Sequence, residues 1–371
     1  MAGTGVGVGV SQRVALTTIA KWMKKLSVQT TQKYALLKKL QMHGNIEYGC
    51  HGGELRWVVK YRDHDLAGHV DGAPKQFQRV KTTFNAALPW RGYESSDVIT
   101  LKEKYEHGGQ EAVVQIFNNR EALIRDGLQR QLGREWFKDG NATGNEQTFH
   151  GIESFGSMTG QTAADELATT LNDTYAGTST SYTSLKSNAV KGTDEEYGVW
   201  SPVVVNSNRT PSGGSLRNWE DYADEYIRLG LIEADYGGVA GEMVDLVLLT
   251  KTAFRQFLNI ADDKERINLS RGSELEMVRL GFKNAVELDG VPVMWDNGIA
   301  ATDGASDTVY GYGFNCSKVK LKILGGSKSK SLFNARVTWN DDYAATRLYF
   351  HLLGNLCFES PRHFIKFAAI S

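Results

Sequence analysis

The chain has 371 residues, with 42 Lys and Arg against 43 Asp and Glu, so its formal net charge at pH 7 is -1. That length can bury a sizeable core and ordinarily divides into two or so lobes, while the balance excludes binding to nucleic acid or membrane through overall charge. The cysteines, Cys50, Cys316 and Cys357, are too few and too scattered for a disulfide framework or a zinc set, and no apolar run approaches the ~20 residues of a membrane span.

Residues 1–10 are rich in glycine, but the "GTGVGVG" among them lacks the preceding strand that a dinucleotide fingerprint requires. The start also lacks the order of a secretory signal, and with so few cysteines this points to folding in a reducing cytoplasm. Residues 1–46 carry seven basic side chains, among them Arg13, Lys21, Lys24 and Lys25, and no acidic one. Such an arm suits packaged DNA or the acidic flank of a neighbouring subunit; a solvated basic helix face is the plainer reading. Helical spacing predicts short helices over 12–26 and 31–43.

From residue 54 the period drops to two. In "ELRWVVKYRD", Leu55, Trp57, Val59 and Tyr61 face one way, and Arg56, Lys60 and Arg62 the other. In "KQFQRVKTTFN", Gln78, Val80, Thr82 and Phe84 alternate with Arg79, Lys81 and Thr83. Two alternating runs around a Gly/Asp/Pro tip predict a long β-hairpin, and a two-stranded ribbon is marginal alone, so it should lie on another surface, such as a second chain. Ser96 is the expected N-cap of the following helix. An apolar stripe from Val113 to Trp136 predicts a helix over 110–138, roughly 40 Å long at the standard rise, more like a structural spine than part of an enzyme. It stops at "FKDGNATGN". A loop rich in Thr, Ser, Gly and Asn covers 156–214. Beyond it the pattern predicts helices over 218–236 and at "KTAFRQFLNIAD", with strands at "VDLVLLT", "VELDGVPVMWD", "TVYGYGFN", "KVKLKIL", around "NARVTWN" and "RLYFHLLGNLCFE", and at "HFIKFAAI". Helices mixed with mainly antiparallel strands give an α+β class.

Cys50 and His51 are adjacent, a spacing that seldom makes two side chains converge, and no third group orients them; a surface turn is the better reading. Asp341 and Asp342 would point to opposite faces of a strand, which does not suit a carboxylate pair for glycoside chemistry. No phosphate-binding loop, nucleophile elbow or metal-spaced cluster is present, so no catalytic, cofactor-binding or metal residue is expected. The aromatics Trp57, Phe77, Phe84, Trp90 and Tyr93 are read as packing before base stacking.

The order of elements, with "FKDGNATGN…FHGIESF", "VDLVLLTKTAFRQFLNIADDKERI", "VELDGVPVMWD" and "NLCFESPRHFIKFAAI", resembles the tailed-bacteriophage major capsid proteins of the Hong Kong 97 fold over almost the whole chain. The resemblance implies an N-terminal arm over 1–46, an extended hairpin loop over 47–90, a peripheral domain with the spine helix over 91–159, an axial domain over 160–329, peripheral strands over 330–360 and a C-terminal strand over 361–371 returning to the axial domain. It implies a non-enzymatic shell subunit of the virion, assembled in the host cytoplasm as pentamers and hexamers of itself around double-stranded DNA. Arg56, Trp57, Lys60, Tyr61, Arg79 and Lys81 would then meet an adjacent subunit, and the arm residues a neighbour or DNA. Portal and decoration proteins are the implied partners, and no membrane is. With only about 45 residues before the hairpin, a separate scaffolding protein is expected. Some relatives weld subunits through a Lys–Asn bond, but the corresponding position here is Ala344, which implies non-covalent closure.

The glycines at 140, 144 and 151 can be read without the family. Gly140, Gly144 and Gly151 let the backbone turn tightly after the spine, and a loop at a helix C-terminus has the wrong dipole sign for phosphate. It is expected to be architectural. Two other readings stand beside the phage shell: an encapsulin-like compartment around cargo enzymes, and, more remotely, a carbohydrate-active enzyme or lectin.

Overall fold

The computed structural model describes residues 35–64, 71, 79–102, 120, 124, 127–128, 131–156, 167–168, 171, 173–208, 217–235, 243–263, 285–300, 308–325, 334–340 and 345–369. In chain order these form α1 (Ala35–Met42), β1 (Ile46–Cys50), β2 (Glu54–Lys60), β3 (Thr83–Pro89), β4 (Arg91–Thr100), the single turn α2 (Glu153–Gly156), β5 (Thr174–Tyr175), β6 (Thr178–Ser179) and β7 (Val203–Asn206). There follow α3 (Trp219–Ala234), β8 (Leu246–Leu249), α4 (Lys251–Asp263), β9 (Val286–Leu288), β10 (Val291–Trp295), β11 (Thr308–Phe314), β12 (Val319–Leu324), β13 (Asn334–Asn340), β14 (Ala345–Phe358) and β15 (Ile365–Ala369). The chain divides into two compact units. The first takes Met1–Gly52, Trp90–Gly151 and Leu321–Leu356; the second takes Gly53–Pro89, Ile152–Lys320 and Cys357–Ser371.

The first unit is organised by β14, which pairs antiparallel with β4 from Ala345↔Thr100 to Gly354↔Arg91 and with β13 from Ala345↔Asn340 to His351↔Asn334. β12 continues the sheet and carries β1 in parallel at its far side. In "VKLKIL" the apolar Val319, Leu321 and Ile323 are buried and the lysines between them only half so, the alternation expected of a sheet with one covered face. Of the expected spine helix, residues 120, 124, 127–128 and 131–135 are described and helical; most of its first half lies outside the described residues. Leu128, Leu132 and Trp136 recur every four residues and are all buried. Ser96 does not cap a helix: it sits inside β4, opposite Tyr349 of β14. Ten residues of cross-strand pairing outweigh one local capping preference.

The second unit holds a six-stranded sheet in the order β7-β15-β11-β8-β10-β9. All four residues of β8 are buried, the continuous apolar run of a strand covered on both faces. Thr250 starts α4, its hydroxyl accepting from the Ala253 amide at 3.3 Å, and Ala253, Phe254, Phe257 and Ile260 then turn one buried stripe inward. In α3, Trp219, Ala223, Tyr226, Ile227 and Ala234 do the same, and both stripes join one core with Val247, Val293, Ile365 and Phe367. Burying each large side chain of this kind contributes about 1.5–3 kcal/mol. The strand pairing is more mixed than the sequence suggests: β7–β15, β8–β10 and β1–β12 are parallel. Among the described residues no helix is long and apolar enough to cross a membrane.

Candidate functional site

The root of the hairpin is in the second unit. β2 and β3 pair antiparallel from Glu54↔Pro89 to Lys60↔Thr83, and the ladder continues as the Tyr61 amide donates to Thr82 at 3.0 Å. The expected surface under this ribbon lies, for one face, in the same chain and not in a second one. Trp57 lies 6.5 Å from Trp200 and 6.4 Å from Tyr175, ring centre to ring centre, and its indole N–H donates to the Glu359 carbonyl at 3.3 Å. Phe84 meets Trp200 edge to face at 5.1 Å. Tyr175 is fully buried, accepts from the Phe358 amide at 3.0 Å and has its pKa pushed up by that burial. The apolar face of the root is therefore occupied by its own subunit, Trp57 included. The opposite face is exposed, carrying Arg56, Val58 and Lys60, with Val58 66% accessible. Arg79 and Lys81 are exposed as well, while Tyr61 is half-buried and its hydroxyl donates to the Lys81 carbonyl at 2.7 Å. Arg13, Lys21, Lys24 and Lys25 lie outside the described residues, as do Asp341, Asp342 and Ala344.

The loop after the spine lies in the first unit and closes around a cation of the same chain. The Arg91 guanidinium donates through Nη1 to the carbonyls of Gly140 at 2.6 Å, Asn145 at 3.1 Å and Thr148 at 2.7 Å. With carbonyl oxygens turned inward and a guanidinium between them, the loop presents no nest of amides to an anion. Gly144 has φ +91°, a left-handed conformation that favours glycine. A Cβ on Gly151 would stand 2.6 Å from the carbonyl oxygens of Trp136 and Lys138 and 2.7 Å from that of Glu135; one on Gly140 would meet the Phe149 carbonyl at 2.9 Å. Below the loop, Glu135 is 1% exposed and takes hydrogen bonds from Tyr93, Gln131 and Lys138. The Tyr93 oxygen in turn accepts from the Phe149 amide at 2.6 Å, and burial raises its pKa. His150 is 2% exposed, bonded to Asn355, and its pKa is lowered to about 4, first by burial and then by Arg91. The sequence pointed to the glycines but not to Arg91, Tyr93, Glu135, His150 or Asn355, which come together from four separate stretches with no local signal.

A third polar set is buried in the second unit. Lys366, 1% exposed, donates to Glu153 at 2.8 Å, and the Tyr312 hydroxyl donates to the other carboxylate oxygen. Each group has a partner and both charges are buried, so this is read as an internal brace. Cys50 ends β1 half-buried and His51 is exposed beside it. Among the described residues no three His, Cys, Asp or Glu side chains are grouped as metal ligands.

No family model and no curated relative matches the sequence. Solved structures do. The chain is similar to the capsid of the native GTA particle computed with C5 symmetry, at 8% identity and a TM-score of 0.53, covering 90% of this chain and 91% of that one. The capsid of the empty GTA particle gives the same score, at 8% identity over 90% of each chain. The bacteriophage PhiM1 mature capsid follows at 10% identity and a TM-score of 0.49, covering 88% of this chain and 86% of that one; this lower score adds no weight. The chain has the Hong Kong 97-like capsid fold.

Proposed function

We propose that the protein is the shell-forming subunit of a tailed-bacteriophage head, a structural protein that assembles as pentamers and hexamers of itself around double-stranded DNA. The observation that carries this reading is the likeness to the GTA capsid, which runs through nine tenths of both chains. On this reading the first unit, with the spine and the β14 sheet, is the peripheral domain, and the six-stranded sheet with α3 and α4 is the axial domain. The exposed row Arg56, Val58, Lys60, with Arg79 and Lys81, meets a neighbouring subunit, while Trp57 holds the root to its own body. Adhesion spread over many such contacts lets each remain weak and reversible during assembly. Arg13, Lys21, Lys24 and Lys25 clamp a neighbour or touch DNA phosphates without sequence preference, a contact that weakens with salt. A separate scaffolding protein, a portal and decoration proteins complete the assembly.

The test is negative-stain imaging of the expressed chain, alone and with the scaffold from its own genome, followed by assay of the particles for nucleic acid. Closed shells that run as 41.1 kDa monomers when denatured support non-covalent phage-type assembly. Particles that enclose a partner enzyme and no DNA identify an encapsulin-like compartment. A chain that stays monomeric under every condition overturns the proposal.

A further inference from the structure

The hairpin stem is held by more than its aromatic seat. Just past β2, the Arg62 side chain meets Glu196 at 3.3 Å, the Asp63 amide donates to Glu195 at 3.3 Å, and Lys60 pairs with Asp63. The gripping segment is itself tied down: Lys186 pairs with Asp194, and the second Asp194 oxygen accepts from the Val190 amide at 2.7 Å. The hydrogen bond from Lys186 holds the Asp194 pKa down. All of these residues belong to the second unit.

The central carboxylate is the unusual member. Its side chain is only 7% exposed, whereas Arg62 is 33% and Lys186 44% exposed. A carboxylate so enclosed is stable only with a cation beside it, and losing its sole partner would be strongly unfavourable. Glu196 has a second cation in reserve: the Lys186 ammonium stands 3.8 Å from its other oxygen while paired with Asp194. When Arg62 withdraws, Lys186 needs only a small movement to keep the buried charge compensated. The stem can then leave its clasp without stranding an ion, and the clasp can close again without rearranging the core.

We infer that Arg62, Glu196 and Lys186 form a release clasp for the hairpin stem, with Arg62 as the moving part and Lys186 as the stand-in that makes the open state accessible. This goes beyond the proposed shell function: it is a two-state element of the single chain, which a subunit could use to redirect its hairpin between assembly stages. The two cations affect it with opposite sign. Losing Arg62 frees the stem, as losing the carboxylate does, whereas losing the stand-in tightens the hold of Glu196 on Arg62.

The experiment is hydrogen exchange on the unassembled full chain, read at the amides of Tyr61 and Asp63. Glu196→Gln should speed exchange there about fivefold; Lys186→Met should slow it about threefold relative to Asp194→Asn, which loses the same Lys186–Asp194 tie but keeps the stand-in, the scale of one partly exposed ion pair. Protection of the buried β8 amides reports that each variant is folded. If Glu196→Gln loses that protection, Arg62→Gln asks the same question without altering the buried carboxylate and should speed exchange equally. Lys186→Met exchanging faster at the stem than Asp194→Asn, or a folded Glu196→Gln or Arg62→Gln leaving it unchanged, overturns the clasp. Because the measurement needs no shell, its failure leaves the capsid reading standing, and failure to form shells leaves the exchange result valid.

Discussion

The most direct quantitative test concerns His150. Asn355 Oδ1 accepts from two backbone amides, His150 at 3.0 Å and Leu356 at 2.8 Å, which fixes that oxygen and turns Nδ2 toward the imidazole. An amide nitrogen only donates, so His150 Nδ1, 2.9 Å away, must accept and the ring proton sits on Nε2. Burial, in a site 2% exposed, and then the nearby Arg91 lower the pKa from 6.5 to about 4, and protonating Nδ1 would also set two donors face to face. The folded value is depressed, so the neutral ring stabilises the fold fully above pH 6.5, and that stabilisation is lost as pH falls toward 4. Moving the pKa from 6.5 to about 4, at about 1.36 kcal/mol per pH unit, gives about 3 kcal/mol lost between pH 7 and pH 4. Carboxylates titrate over the same range, so the comparison should be made with His150→Gln, which keeps an acceptor and cannot ionise. Urea unfolding of both chains from pH 7 to pH 4 should show the stability difference between them changing by about 3 kcal/mol, with wild type losing more. A difference that stays constant with pH would refute the assignment of tautomer and burial.

Two further perturbations follow from the same geometry. Gly151→Ala places a methyl against three backbone carbonyls that cannot move separately and should cost about 3 kcal/mol or more, read as a lowered urea midpoint; Gly144→Ala, in open space but at positive φ, should cost only about 1 kcal/mol. Glu153→Gln should destabilise by about 3–5 kcal/mol because it strands Lys366, and Glu153→Leu combined with Lys366→Met should recover most of that; additive losses in this double-mutant cycle would refute the brace.

What could be read from the sequence divides along a physical line. The first strand of the hairpin was legible because alternation of Leu55, Trp57 and Val59 with Arg56 and Lys60 is a local, period-two signal, whereas the second begins only at Thr83, near the end of the alternating run; the strands from Val286 onward were legible for similar reasons. Ser96 misled because "SSD" before an apolar run is a capping pattern, and only the distant Tyr349 reveals that it is a strand. The seat of Trp57 was hidden because Tyr175 and Trp200 sit in a stretch of Thr, Ser and Gly without periodicity. Around the glycine loop the turns were legible, but not what fills them: Arg91 comes from 49 residues before Gly140.

The buried pair in the second unit addresses a problem that β15 creates. Its residues Ile365, Lys366, Phe367 and Ala368 are all buried, so the strand is covered on both faces and has no apolar–polar alternation to set its register. Hydrophobic burial is non-directional and would tolerate a slipped "IKFAA" almost as well as the native one. Lys366 would not. Only in the observed register, with Ile365 opposite Val203 and Lys366 opposite Val204, does the ammonium reach Glu153, 213 residues earlier. A slip of one residue would break this buried ion pair, at a cost larger than any single apolar side chain in the strand contributes. The pair therefore acts less as added stability than as a penalty on the wrong pairing. That matters for a strand seated between β7 and β11, because its register sets the alignment of both neighbours.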